Sequence, residues 1–358
     1  MTTGTENTIM GGLAGDALTT GARNVAIGYH ALGGEDAHGK NVAIGYQALK
    51  AQDAGADAYN VAIGYSAGEN ISTGVQNVLM GGKAGDALTT GGGNVGLGYG
   101  ALSASVLGAS NTAIGVNAMG EGNATSTSGH NIAIGTDAGK IITDGRFNIC
   151  IGGESGDALT TGTGNVAVGH AALSTEDTHG TNVAIGQSAL AILNAGVDGY
   201  NTAVGHTAGA LISTGVRNTV IGAIAGDAMT TGSDNTIVGE RSGSAQTIAN
   251  WNSSLGENSL FTNVASSNNT AIGASALAVM TSATAANGNN VAVGSSAGIA
   301  VTSGVQNTLI GTQAGNAITT GDNNIIIGNN AAASAVGADN ETVIGTATTT
   351  NAIVHGLR

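Results

Sequence analysis

Residues 24–32 read NVAIGYHAL, residues 41–49 read NVAIGYQAL and residues 60–68 read NVAIGYSAG. The motif recurs along the whole chain, mostly at a spacing of 17 residues, with exceptions of 19, 20, 19 and 21. Repetition at a short fixed period is typical of solenoids and repeat arrays. Its asparagines are Asn7, Asn24, Asn41, Asn60, Asn77, Asn94, Asn111, Asn131, Asn148, Asn165, Asn182, Asn201, Asn218, Asn235, Asn252, Asn269, Asn290, Asn307 and Asn324. Glu341 takes this place in the last copy.

The residues after each asparagine predict a short strand. In Val25-Ala26-Ile27 and its equivalents, branched residues flank a small one, which is a period of two. An asparagine at one fixed place per unit predicts a stacked amide ladder. The closing glycine, such as Gly28, predicts a backbone angle or a close approach that other residues cannot adopt.

The predicted fold is an all-β, parallel β-solenoid (a β-roll or β-helix) of about 20 coils with a 17-residue repeat. We expect residues 1–358 to form a single continuous array, with repeats from Asn7 to about Asn351. A single unit buries too little apolar surface to fold alone, so stability must come from stacking between neighbours.

A second regularity predicts how the core is filled. The eighth residue after asparagine is large in two coils and small in the next two, as in Leu32 and Leu49 followed by Gly68 and Gly85. Where glycine stands there, an aliphatic residue such as Ile71 appears three positions later. A close-packed core requires this compensation. The pattern returns every four units, about 70 residues.

The second motif residue also becomes large in one class of unit. We expect it to face away from the coil's own core and to form an apolar column that requires a partner surface. Its members are Ile9, Leu79, Cys150, Val220, Ile237, Leu309 and Ile326.

Composition excludes several classes of protein. The formal net charge of −14 opposes nucleic-acid binding, which needs basic patches. The single cysteine excludes an intrachain disulfide, and no stretch is long and apolar enough to insert into a membrane. The start lacks the basic and apolar regions of a secretory signal, so we expect synthesis in a host cytoplasm without a signal peptide.

The units NVAIGYQAL, NVAIGYSAG and NTAIGASAL, with TTG or STG between them, resemble the repeats of phage and phage-like tail-fibre proteins. They are also similar to the head repeats of trimeric autotransporter adhesins. The resemblance implies parallel β-coils assembled as a homotrimer in a virion or extracellular fibre. It implies as partners further copies of the chain, other fibre or baseplate proteins at the termini, and a host surface glycan or protein.

No residue pattern points to catalysis, a cofactor or a metal. None of the seven histidines is predicted to pair with a cysteine or carboxylate at a metal-ligand spacing, and His38 and His179 are interpreted as turn residues. Asp16, Asp86, Asp157 and Asp227 recur four coils apart, too far for the paired carboxylates of a glycosidase. They are interpreted as capping or turn residues.

Two further rows of side chains suggest binding. Tyr29, Tyr46, Tyr65 and Tyr99 follow the motif glycine in units near the N-terminus and are candidate glycan contacts. Threonine pairs, such as Thr89 and Thr90, suggest ice binding, but the full pair appears only about once in four coils, and ice-binding solenoids need an uninterrupted ladder.

The sequence therefore favours a non-enzymatic structural fibre, the shaft or receptor-facing segment of a tail fibre. The alternative is a cell-surface trimeric adhesin whose side wall binds glycans or matrix. A polysaccharide-degrading tailspike ranks last, because aromatic residues make up only 3% of the chain and the insertions are short.

Overall fold

The computed structural model describes residues 3–122, 129–281 and 287–346. These residues form twenty three-residue strands and no α-helix, which confirms the predicted all-β solenoid class. The chain divides into two compact units, Met1–Thr181 and Asn182–Arg358.

In the first unit, each repeat contributes one strand. The strands are β1 (Thr8–Met10), β2 (Val25–Ile27), β3 (Val42–Ile44), β4 (Val61–Ile63), β5 (Val78–Met80), β6 (Val95–Leu97), β7 (Thr112–Ile114), β8 (Ile132–Ile134), β9 (Ile149–Ile151) and β10 (Val166–Val168). From β1 to β9, each strand pairs in parallel with the strand of the next repeat. One repeat is therefore one full turn of the solenoid.

The second unit repeats this arrangement. Its strands are β11 (Val183–Ile185), β12 (Thr202–Val204), β13 (Thr219–Ile221), β14 (Thr236–Val238), β15 (Ser253–Leu255), β16 (Thr270–Ile272), β17 (Val291–Val293), β18 (Thr308–Ile310), β19 (Ile325–Ile327) and β20 (Thr342–Ile344). They too pair in parallel, each with the next.

Longer repeats do not disturb the register of the strands. Asn41 and Asn60 are 19 residues apart, yet Val42 still lies opposite Val61. Asn269 and Asn290 are 21 apart, and Thr270 still lies opposite Val291. The additional residues are accommodated in the turns, so each strand keeps its inward and outward faces.

The second residue of each strand faces the core of its own coil. Ala26, Ala43 and their equivalents are fully buried, whereas the flanking residues are partly exposed. The expected outward column is therefore wrong, because Leu79, Cys150 and Val220 are also fully buried. Ile237, Leu309 and Ile326 are buried in the same way, and Ile9 packs against the core cluster of the first unit.

A large second residue fills the space that a glycine leaves at the eighth position of the same coil. A Cβ atom built on Gly85 would lie 2.8 Å from Leu79 Cδ2. One built on Gly156 would lie 2.7 Å from the Cys150 sulfur. The burial of Cys150 raises the pKa of its thiol to about 12. Steric complementarity within each coil explains why these residues change together.

The predicted compensation between the eighth and eleventh positions is confirmed. Leu32 and Leu49 are fully buried where the eighth residue is large, and Ile71 and Leu88 are fully buried where it is glycine. The core is therefore a thin column of alanines and one or two aliphatic side chains per coil.

The motif glycine has both predicted properties. Gly152 has a φ of +129°, and a Cβ on it would lie 2.6 Å from the carbonyl oxygen of Gly169 in the next coil. The residue before each ladder asparagine is also left-handed although it is seldom glycine, as in Arg23 (φ 60°) and Trp251 (φ 55°). Side chains strain this conformation, so the ladder must hold these turns in place.

Candidate functional site

The asparagines form a buried ladder that joins each coil to the next. The Asn148 side-chain oxygen accepts a hydrogen bond from the Asn165 backbone N–H at 2.9 Å. Its amide nitrogen donates to the carbonyl of Gly162 at 2.7 Å and to Asn131 Oδ1 at 3.2 Å. The same contacts recur along both units, as in Asn218. Each asparagine thus satisfies a backbone N–H of the following coil and a backbone carbonyl near the end of its own coil, which is a structural role.

The third residue of every strand is aliphatic or methionine and lies on the outer face, and we call this row the third-position stripe. In the first unit it comprises Met10, Ile27, Ile44, Ile63, Met80, Leu97, Ile114, Ile134, Ile151 and Val168. In the second unit it comprises Ile185, Val204, Ile221, Val238, Leu255, Ile272, Val293, Ile310, Ile327 and Ile344. All are half-buried or exposed, and none carries a charge. Within each unit, a partly exposed apolar row of this kind marks an interaction site.

Three of the four candidate tyrosines stack on one another. The ring centroids of Tyr29 and Tyr46 are 5.5 Å apart, and those of Tyr46 and Tyr65 are 5.1 Å apart, with nearly parallel planes. Stacking covers both faces of Tyr46, so a sugar ring could reach only its edge. Tyr99 lies two coils beyond Tyr65, because Gly82 occupies the matching position between them.

The threonine pairs form a second set of hydrogen bonds between successive coils. The first threonine of a pair donates its hydroxyl to the backbone of the next coil, as Thr89 does to the carbonyl of Val106 at 3.1 Å. Thr160 bonds Asp177 in the same way at 2.8 Å, and Thr230 bonds Thr247 at 3.2 Å. These hydroxyl groups therefore stabilise the turn between coils.

The aspartates of the four-coil register lie in separate turns. Burial raises the pKa of both Asp86 and Asp157. Asp227 accepts a hydrogen bond from Ser244 of the next coil at 2.6 Å. This last contact matches the expected turn role.

The structure brings together a cluster of side chains that sequence reasoning missed. Single ligand atoms of Glu35, Asp36, His38 and Asp53 all lie within 4.8 Å of one another. Glu35 is fully buried, His38 is half-buried, and both aspartates are exposed. The Nδ1 atom of His38 lies 3.5 Å from Glu35 Oε1, and it forms no hydrogen bond with the residues that the structure describes.

The Glu35 carboxylate is only partly satisfied. Its Oε1 accepts a hydrogen bond from the backbone N–H of His38 at 3.0 Å. Its Oε2 is buried and accepts no hydrogen bond from the residues that the structure describes. Burial raises the pKa of Glu35, opposed by the His38 backbone bond, while the charges of Asp53 and Asp36 raise it further.

A related cluster of Glu176, Asp177 and His179 occurs later in the first unit. His179 Nδ1 lies 3.6 Å from Glu176 Oε1. The sequence signal for both clusters was the recurrence of Glu-Asp-x-His at 35–38 and 176–179, 141 residues apart. These side chains are the residues that could hold a metal ion.

Within the described ranges, no helix has the length and apolarity needed to cross a membrane. Comparison of the sequence with known protein families and with curated proteins gave no match.

Proposed function

We propose that this chain is a structural fibre protein, the shaft or receptor-facing segment of a phage or phage-like tail fibre, which assembles as a homotrimer and catalyses no reaction. The third-position stripe carries this proposal. Its twenty residues are uniformly apolar, although a lone solenoid gains nothing from aliphatic side chains held in water. The repeat resemblance supports the same assignment.

The stripe suits further copies of the same chain. It presents one apolar residue per coil at a nearly constant repeat, so identical copies can match one another coil by coil. Symmetric association of identical chains is the common route by which such a surface is buried. Three copies would enclose the three stripes around a common axis, where no charged side chain from them would be desolvated.

Sedimentation of two matched lysine variants tests the association. Met80 belongs to the stripe and is 43% exposed, while Leu211 is 47% exposed and lies in a turn. Wild type and Leu211→Lys are expected to sediment as trimers. Met80→Lys should weaken association at least tenfold, since it buries an unpaired charge in each copy. A monomeric wild type, or equal dissociation of both variants, would contradict the proposal.

The adhesin alternative is supported by one observation. Tyr65 is exposed, and Gly82 leaves no side chain beside the ring face that points away from Tyr46. Tyr99 stands two coils on, at about twice the strand spacing, or roughly 10 Å. Saturable binding on a glycan array that Tyr65→Ala abolishes would favour an adhesin, and a pure shaft should bind no glycan.

A further inference from the structure

We propose that Glu35, Asp36, His38 and Asp53 form a binding site for one divalent transition-metal ion of the zinc type. Asp53 belongs to the third coil and the other three residues to the second. The ion would therefore tie the second coil to the third.

Three of the four residues depart from what their positions usually contain. Glu35 stands eleven residues after its asparagine, in a coil where Leu32 already fills the core, and its equivalent in the next coil is the buried amide Gln52 rather than a carboxylate. Asp36 and Asp53 stand one position later, where the ladder of hydroxyl groups usually has threonine or serine. His38 stands where most coils have glycine, such as Gly74 and Gly91. Two separate structural preferences are given up at one place, beside a buried carboxylate.

The carboxylate of Glu35 supplies the second indication. A fully buried carboxylate without a partner on one oxygen is costly, and here two further acids are close to it. Nearby lysine side chains are engaged elsewhere. Lys40 Nζ lies 2.7 Å from Asp57 Oδ2, and Lys50 Nζ lies 3.4 Å from Glu69 Oε1. A bound cation would neutralise the cluster and satisfy the buried oxygen.

The donor set indicates the class of ion. One imidazole nitrogen with carboxylate oxygens suits zinc and its neighbours in the transition series. Calcium prefers oxygen ligands alone. Bonds of about 2.0–2.2 Å in a tetrahedral site place ligand atoms about 3.3–3.6 Å apart, so a cluster whose ligand atoms lie within 4.8 Å of one another must contract by roughly 1 Å to hold the ion.

The backbone around the cluster is arranged for a larger side chain. A Cβ on Gly91, at the position that His38 occupies in its coil, would lie 3.1 Å from the carbonyl carbon of Gly108 in the next coil. His38 is instead followed by a coil of 19 residues, and the 19-residue unit that starts at Asn182 likewise follows His179. The same combination of changes thus occurs twice in the sequence.

Calorimetric titration of the full chain with zinc chloride, in chelator-treated buffer near neutral pH, tests the proposal. His179→Gln is used as the background, so that the related cluster does not obscure the result. We expect saturable binding of one ion to this protein. Adding Asp53→Asn or His38→Gln should weaken binding at least tenfold, since even outer-shell changes cost that much.

Asp16→Asn is the matched control, because it removes the same charge from an exposed aspartate outside the cluster. It should bind zinc as the background does. Zinc should also raise the thermal midpoint of the background protein, and Asp53→Asn should lose that gain. Absence of saturable binding, equal weakening by Asp16→Asn, unchanged affinity in the cluster variants, or calcium binding as tight as zinc would overturn the proposal.

Discussion

At the scale of single residues, glycine and the buried acid impose the strongest constraints. Gly152 lies where the backbone is left-handed and the next coil is in van der Waals contact. Its neighbour Gly153 has an ordinary backbone conformation, and the nearest atom to a Cβ built on it is 3.6 Å away. Two adjacent glycines therefore have opposite tolerance for a methyl group.

We expect Gly152→Ala to lower the free energy of unfolding by about 2 kcal/mol or more, because the methyl group adds both backbone strain and overpacking. Gly153→Ala should change it by less than about 0.5 kcal/mol. Urea unfolding followed by circular dichroism measures both. Equal losses of unfolding free energy in the two variants would show that the intrinsic backbone preference of alanine, rather than the contact between coils, governs this position.

Glu35 should make stability depend on pH in the absence of metal. Its raised pKa means that the folded protein retains a proton where the unfolded chain has released it. Ionisation of Glu35 therefore costs stability. That cost is absent below the ordinary pKa range of glutamate and complete above the raised pKa.

With a chelator present, Glu35→Gln should be more stable than wild type near neutral pH, and the difference should vanish as the solution is acidified below the ordinary glutamate pKa. Gln52 already occupies the equivalent position in the next coil, where its amide bonds Ser72 and Asn60. Thermal midpoints measured across the pH range test this. A variant less stable than wild type at neutral pH would mean that the charge itself stabilises the turn.

At the scale of the coil, the asparagine ladder replaces the long strands that ordinary sheets use. Three-residue strands form few backbone bonds each. The asparagine side chain extends the bonded edge by connecting to a backbone N–H of the next coil and to a backbone carbonyl near the end of its own coil. Both groups are buried, so neither would find water if the side chain were lost.

Asn148→Ala is expected to cost about 2–5 kcal/mol, because it removes both the side-chain oxygen that accepts from the Asn165 N–H and the amide that donates to the Gly162 carbonyl. Asn70→Ala is the control, since Asn70 is exposed and its side chain makes a single hydrogen bond, to the Asp86 carbonyl. Its cost should stay below about 1 kcal/mol. Hydrogen exchange at the Asn165 amide provides a local readout, and unchanged protection in Asn148→Ala would contradict the role of the ladder.

The sequence predicted the repeat, the strands and the inner compensation, but it did not predict which strand face is inward. A strand of three residues has two alternating faces, and it is too short for its sequence pattern to show which face is buried. Val25 and Ile27 look like core residues, and Ala26 looks too small to be one. The core is so thin that alanine fits it, and this fact depends on the opposite wall of the coil rather than on the strand.

The acidic cluster was missed for a related reason. Glu35 and His38 are three residues apart in a segment of polar turn residues, where such a pair is ordinary. Only the coil geometry shows that Glu35 is fully buried and that Asp53 of the next coil lies beside it. Contacts between side chains of successive coils can be predicted only once the coils are aligned with one another. That alignment depends on the length of every repeat.

At the scale of the whole molecule, charge and the apolar stripe act against each other. The chain carries a formal net charge of −14, so copies repel one another in dilute buffer. The third-position stripe is uncharged, so its attraction is not weakened by salt.

If the proposed trimer is held by the stripe, adding salt should strengthen association, since screening removes the repulsion and leaves apolar burial intact. Sedimentation equilibrium at low and at high sodium chloride concentration measures the change. The low-salt buffer should have a Debye length of about 30 Å, and several hundred millimolar sodium chloride shortens it to less than about 10 Å. Dissociation on raising the salt would mean that ion pairs hold the copies together.

The interlocking of glycine with large neighbours also constrains how such a gene can change in length. Leu79 occupies the space that Gly85 leaves, and Leu49 Cδ2 lies 3.0 Å from a Cβ built on Gly68. Deleting one repeat creates one new junction, and the two coils that meet there must again match in size. The coil of Gly243 shows that a single unit can be accommodated, because it follows the glycine coils of Gly209 and Gly226 and adds a third to a pattern of two. Recombination can therefore lengthen or shorten the gene without harm only where the coils that it brings together fill each other's space.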